Sequence, residues 1–202
     1  MPLSGDTIQR TFTHEYDWAN GTYRRTGPDG VETFVQYDEA NRVTSFRRGP
    51  ESGDGPVMTA EYTYFADDRV ESVTYGNGSS IHYEYDDARR LTLIDHRDDT
   101  GKEGTTFLKL EYEYTPEGLP SQITESDASE VTAVVEFSYD ARHRLIAEVR
   151  TADDPDTDLT YQYDQGGNRT KKTDAVNEID VNYTYDVDFF LSQCVIASTM
   201  TM

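Results

Sequence analysis

Cysteine is nearly missing from this chain: Cys194 stands alone among 202 residues. An internal disulfide framework is therefore excluded, and so is any metal site built from paired cysteines. Lysine is scarce, with four residues against fourteen arginines, and the 18 basic residues face 39 acidic ones for a net charge of −21. Nucleic acids and anionic bilayers both require basic surface, so neither is expected as a partner. Long apolar runs are missing as well. The longest, at 189–197, falls far short of the roughly 20 residues that cross a bilayer, and membrane insertion is not expected. Residues 1–15 hold no apolar core of a secretory leader. Any export signal is expected outside these residues or through a dedicated route, with the protein secreted or at the cell surface as part of a larger system and stored in the cytoplasm beforehand.

What the chain has in quantity is tyrosine, at 15 positions, and the tyrosines are phased. Tyr83-Glu84-Tyr85-Asp86, Tyr161-Gln162-Tyr163-Asp164 and Tyr183-Thr184-Tyr185-Asp186 are complete copies of a Tyr-x-Tyr-Asp pattern. Tyr62-Thr63-Tyr64-Phe65, Tyr112-Glu113-Tyr114-Thr115 and Phe137-Ser138-Tyr139-Asp140 are near copies, and Val35-Gln36-Tyr37-Asp38 and His14-Glu15-Tyr16-Asp17 are weaker ones. The marks Tyr16, Tyr37, Tyr64, Tyr85, Tyr114, Tyr139, Tyr163 and Tyr185 lie 21, 27, 21, 29, 25, 24 and 22 residues apart. A period in that range is the signature of a repeat array.

Three residues after each Asp position comes a residue that tolerates a left-handed backbone: Asn20, Asn41, Asp68, Gly118, His143 or Gly167, with Arg89 as the exception. Arg42, Arg69, Arg90 and Arg144 follow, and then Val43, Val70, Leu91 and Leu145 open new alternating runs. That order predicts strand, tight turn, strand. Within the runs, Met58, Ala60, Tyr62 and Tyr64 alternate with Thr59, Glu61 and Thr63, while Leu108, Leu110, Tyr112 and Tyr114 alternate with Lys109, Glu111 and Glu113. Side chains of a strand point to opposite faces in turn, so the tyrosine side is expected to be the buried one and the acids to face outward. Tyrosine rings bury area but their hydroxyls need partners, which suits the polar lining of a wet cavity.

These residues resemble the YD-repeat family, also called RHS repeats, with a consensus near Tyr-x-Tyr-Asp-x-x-Gly-Arg-Leu followed by a strand and a variable turn. Residues 83–91 and 163–170 carry the resemblance best, and eight phased copies spread it over residues 11–191. Phe65 and Thr115 replace the Asp and Pro120 replaces the Leu, so those units are expected to be looser. The resemblance implies an all-β array of antiparallel hairpins forming one long, curled sheet, an open segment of a shell like those of toxin-complex proteins, polymorphic toxins and teneurins. It also implies a partner: a protein client such as a C-terminal toxin, or further repeats of the same array. The family's Asp-Pro-x-Gly-Leu self-cleavage element is not matched, because Pro116-Glu117-Gly118-Leu119 lacks the Asp.

The expected organisation is a lead-in at 1–10, seven to eight repeats over 11–191, and an atypical tail at 192–202. There Phe189-Phe190-Leu191 stands where Gly-Arg-Leu belongs, which reads as a capping strand or as an array cut or shifted. The expected repeat face comprises Tyr16, Tyr37, Tyr62, Tyr64, Tyr83, Tyr85, Tyr112, Tyr114, Tyr139, Tyr161, Tyr163, Tyr183 and Tyr185. The expected turn residues are Asp38, Arg42, Arg69, Asp86, Arg90, Asp140, Arg144, Asp164 and Gly167, with the arginines paired to neighbouring acids such as the repeat Asp and with Arg-carboxylate pairing across successive hairpins fixing the stacking register. No catalytic, cofactor or metal residue is expected. His14, His82, His96 and His143 fall in different repeats, and no phosphate loop or Gly-x-Ser-x-Gly elbow occurs. Asp154, Asp156 and Asp158 alternate like calcium ligands but lack the accompanying Gly and Glu. Asn20-Gly21-Thr22, Asn77-Gly78-Ser79, Asn168-Arg169-Thr170 and Asn182-Tyr183-Thr184 match the glycan-acceptor pattern, which turn chemistry also explains. The reading is a non-enzymatic scaffold. A cell-surface carbohydrate-binding module with tyrosines stacked on sugars is the alternative, and self-association a further use of the tyrosine face.

Overall fold

A computed structural model describes residues 11–50, 57–100, 104–152, 156–186 and 191–198. They form sixteen strands: β1 (Thr13–Asp17), β2 (Thr22–Thr26), β3 (Val31–Tyr37), β4 (Val43–Pro50), β5 (Met58–Tyr64), β6 (Val70–Tyr75), β7 (Ser79–Tyr85), β8 (Leu91–Asp98), β9 (Thr105–Tyr114), β10 (Pro120–Ser126), β11 (Val131–Tyr139), β12 (Leu145–Ala152), β13 (Thr157–Tyr163), β14 (Arg169–Asp174), β15 (Ile179–Tyr185) and β16 (Leu191–Ser198). The fold is all-β, one antiparallel sheet with its strands in chain order. Runs of Tyr, Val and Thr on a period of two favour this pleated, half-buried state over a helix.

The chain divides into two compact units, one of Met1–Glu84 with His96–Thr105 and one of Tyr85–Asp95 with Thr106–Met202. In the first, Tyr16 lies opposite Tyr23, Val35 opposite Phe46, Phe46 opposite Ala60 and Tyr62 opposite Val73, so these residues share one face. Val35, Ala60 and Val73 on that face are buried. In the second unit Tyr112 faces Ile123, Ile123 faces Val135, and Ala133 is buried on the same side.

The tyrosine face thus holds the buried apolar residues, yet the rings themselves are only half-buried, and Tyr16 is 58% exposed. Among the described residues the strand contacts found within each unit join chain neighbours, with no second layer over the rings. The opposite face also buries groups: Glu32, Ser72 and Ser80 are buried there. Glu32 lies 3.6 Å from an Arg24 nitrogen and 3.9 Å from an Arg47 nitrogen. Ser72 Oγ lies 2.8 Å from Thr63 Oγ1. Burial on this sheet goes to small or paired residues at strand centres, whichever side they occupy.

Six turns share one backbone form. Asp38 N–H donates to the Arg42 carbonyl at 2.9 Å and Asn41 N–H to the Asp38 carbonyl at 3.0 Å, and the same pair of bonds closes 65–69, 86–90, 115–119, 140–144 and 164–168. The fourth residue of each is left-handed: Asn41, Asp68, Arg89, Gly118, His143 and Gly167 all have φ between 60° and 94°. This is a three-residue hairpin loop ending in a left-handed residue and a bulge. Arg89, the exception by residue type, adopts the common conformation at φ 66°. Asn20 does not, because the first loop holds one more residue and Gly21 takes the left-handed place at φ 60°. Nor are the Phe65 and Thr115 turns opened, since their backbone bonds of 2.8–3.1 Å match the rest.

Candidate functional site

The chemistry of the array is concentrated at these turns. Asp140 Oδ1 accepts from the N–H groups of Arg142 at 2.8 Å and Arg144 at 3.0 Å, while Oδ2 accepts from Arg144 Nε at 2.7 Å. Asp38 repeats this on Ala40 and Arg42 at 2.9, 2.9 and 2.7 Å, and Asp86 holds Arg90 N at 2.8 Å and Nε at 2.7 Å. Donation to a carboxylate favours its charged form. The Arg144 side chain, then its backbone N–H, holds the Asp140 carboxyl down at about 2. The Arg42 and Arg90 backbone N–H groups lead in lowering Asp38 and Asp86.

Each tethered guanidinium then lies over an aromatic ring of the next repeat. Arg42 sits 4.7 Å from the Tyr64 centroid, Arg90 4.5 Å from Tyr114 and Arg144 4.6 Å from Tyr163. The hydroxyl of that same tyrosine donates to the carbonyl just after the arginine: Tyr64 to Val43 at 2.6 Å, Tyr114 to Leu91 at 2.6 Å, Tyr163 to Leu145 at 2.8 Å. Aspartate, arginine and tyrosine therefore form a stitch from one repeat to the next, with the tyrosine hydroxyl satisfied by backbone and the guanidinium face on the ring. Burial pushes the Tyr64 and Tyr114 hydroxyls up.

The expected carboxylate pairing across hairpins is thus found mainly within a turn, because Asp and Arg four residues apart face each other across the bulge. Links between turns include Arg42 Nη1 to Asp68 at 2.7 Å, Arg144 Nη1 to the Asp164 carbonyl at 3.1 Å and Arg142 Nη1 to the Gln165 carbonyl at 3.0 Å. Arg69, whose turn has Phe65 in the Asp place, pairs with Asp67 at 2.7 Å and lies 6.0 Å from the Phe65 centroid. Asp164 binds Asn168 Nδ2 at 3.0 Å beside left-handed Gly167, and Arg169 moves onto Tyr183 at 4.7 Å while Tyr185 donates to the Arg169 carbonyl at 2.9 Å. Tyr161 donates to Glu148 at 3.4 Å. Tyr62, Tyr83, Tyr85, Tyr112 and Tyr139 are half-buried. Among the described residues no guanidinium lies over Tyr139, whose preceding turn has Leu119 in the arginine place. The stacking and the hydroxyl-to-carbonyl bonds escaped the sequence reading, because the spacing from Arg to the next Tyr varies from one repeat to another.

One cluster holds the residue types of a catalytic triad. Ser80 Oγ donates to Asp99, and His82 Nε2 lies 3.1 Å from the same Oγ. A nucleophile needs an exposed serine that donates to histidine. Here the serine stands in the middle, donates to the acid and is 1% exposed, so the cluster ties Asp99, just past β8, to β7. His14 shares a bond with Tyr23 OH at 3.0 Å. Asp154 of the calcium-like alternation lies outside the described residues, and Asp156 accepts from Ala152 N–H at 2.7 Å. Among the described residues no three His, Cys, Asp or Glu side chains could hold a metal, and no helix is long and apolar enough to cross a membrane. Asn77 closes its own turn, accepting from Ser79 N–H at 3.0 Å.

The family model of the RHS repeat matches residues 64–101, the stretch with two of the turns and Tyr85. Residues 64–101 are RHS repeat. It is 29% identical over 203 residues to the tRNA nuclease WapA of Bacillus subtilis (strain 168) and 28% identical to the tRNA3(Ser)-specific nuclease WapA of Bacillus spizizenii, with 88% of the chain aligned to each. It spans only 8% of the length of these curated relatives. Among solved structures, TcdB2-TccC3 superposes with a TM-score of 0.77 over 93% of this chain and 10% of that one, at 20% identity. The Tc holotoxin pore of Photorhabdus luminescens gives 0.74 over 92% and 10%, at 19% identity. The fold of this RHS segment is accordingly the one those toxin-complex chains use.

Proposed function

We propose that this RHS segment is a wall element that encloses or presents a partner polypeptide, such as a toxin carried by the same system, and performs no chemistry itself. The observation that carries the proposal is the repeated stitch. At three junctions it fastens one repeat to the next through main-chain carbonyls and guanidinium–ring contacts, and so stiffens a sheet over whose half-buried tyrosine face no second layer is found among the described residues. A face of that kind needs a cover, and a client or further repeats supply one. Fold similarity to toxin-complex chains supports the same reading, and the wall belongs with an exported or surface-displayed assembly.

The test is limited proteolysis of the protein expressed from its whole reading frame. An enclosed client resists protease in the intact particle and becomes cleavable when Arg90→Ala and Arg144→Ala loosen the wall. Equal cleavage in both forms would remove the enclosure reading. Binding on a glycan array by the folded chain would instead favour the carbohydrate-binding module.

A further inference from the structure

The first repeat lacks its own arginine at a place where the stitch of later repeats puts one. The residue just after the left-handed turn position is Arg42, Arg69, Arg90 or Arg144 in four turns; after Gly21 it is Thr22. Tyr37 takes the place of Tyr64, Tyr114 and Tyr163 in its repeat, but its N–H donates to the Gly21 carbonyl while Thr22 lies opposite Gln36, and among the described residues no guanidinium lies over it. In its place is a recess of ≈ 410 Å³ between the first turn and the β3–β4 turn. The corresponding recess at Tyr163, ≈ 370 Å³, has Arg144 and Arg142 in its wall.

The walls of the first recess match what a guanidinium meets elsewhere in the array. Tyr16, Trp18, Tyr23 and Tyr37 line it together with Asp17 and Glu39, and among the described residues no lysine or arginine does. Trp18 stacks on Tyr16 at 5.6 Å and 8°, and is 85% exposed, so one indole face is open. Asp17 Oδ2 accepts from Asn20 Nδ2 at 2.7 Å, and Asn20 leads in holding the carboxyl below its ordinary range. A carboxylate oxygen has a second lone pair to offer.

We infer that this recess is a receptor site for a guanidinium group brought by another molecule, either a small guanidinium compound or an arginine side chain of a polypeptide. Electron-rich rings attract a planar cation face-on, tryptophan most strongly, and the carboxylates fix its N–H groups. The site does not depend on whether the wall encloses a client.

Trp18 is the only tryptophan, so its fluorescence reports on this recess alone. The experiment titrates the folded chain with Nα-acetyl-arginine amide. A saturable change is expected, absent with the neutral isostere Nα-acetyl-citrulline amide, and weakened roughly threefold to tenfold in Glu39→Gln. Tyr37→Leu removes one ring of the recess and should weaken the response about tenfold while keeping the fold. No saturable change, an equal response to the citrulline probe, or unchanged binding by Tyr37→Leu would each overturn the inference. A short peptide with one central arginine separates the sources: binding about tenfold tighter than the single residue assigns the site to a polypeptide, and equal binding assigns it to small guanidinium compounds.

Discussion

Replacing Tyr64, Tyr114 and Tyr163 by phenylalanine isolates one component of the stitch. Each change removes a single hydroxyl-to-carbonyl bond, of 2.6, 2.6 and 2.8 Å, and leaves the ring beneath its arginine. A hydrogen bond of this kind contributes a net ~0.5–1.5 kcal/mol, and part-buried sites place each substitution near 1 kcal/mol. The three lie in different repeats with no shared partner, so the triple variant should lose about 3 kcal/mol. For a chain of this size ~1 kcal/mol moves the melting temperature by ~2–4 °C, which gives a drop of about 6–12 °C. Thermal melting followed by circular dichroism reads it, with Tyr139→Phe as control because no partner of its hydroxyl is found among the described residues. A triple variant that melts with the parent, or a control that falls as far, would refute the reasoning.

Arg90→Lys keeps the charge but loses the planar face over Tyr114 and the Nε bond to Asp86, so it should cost about 1 kcal/mol despite its conservative look; a melting temperature equal to the parent would contradict it. His143→Gly removes a side chain from a left-handed residue at φ 61°, and should raise stability by about 1 kcal/mol, read as a higher denaturant midpoint. The Asp140 carboxyl, held at about 2 against an ordinary 3.8, binds a proton less readily folded than unfolded. Its contribution is complete above the unfolded value and is lost as pH falls from about 4 toward 2. The melting gap between the parent and Asp140→Asn should therefore close over that range, and a gap independent of pH would sink the assignment.

The hairpins were legible because Tyr-x-Tyr-Asp fixes both strand phase and turn entry. Even the substituted turns at Phe65 and Thr115 keep the form, since the backbone bonds of the loop do not require the carboxylate. Arg89 shows the limit of reading conformation from residue type: the register of the hairpin imposes a left-handed turn that its side chain disfavours. Gly21 shows the reverse, where one added loop residue displaced the turn position from Asn20. The tyrosine face was identified by alternation, but its degree of burial was not, because alternation records which side a residue takes and not whether anything covers that side. The arginines were matched to their aspartates by sequence proximity, whereas their stacking on tyrosines about twenty residues onward depends on how hairpins align. Ser80, His82 and Asp99 came together across separate strands, a meeting that no local pattern announces.

The central claim is that the tyrosine face of this RHS segment is covered by a polypeptide it encloses or presents. Electron cryo-microscopy of the protein as its whole reading frame encodes it tests this most directly. The account predicts polypeptide density, distinct from the repeats, against the rings of Tyr62, Tyr83, Tyr112 and Tyr161. A tyrosine face open to bulk solvent, or closed against a second copy of the same sheet, would contradict it.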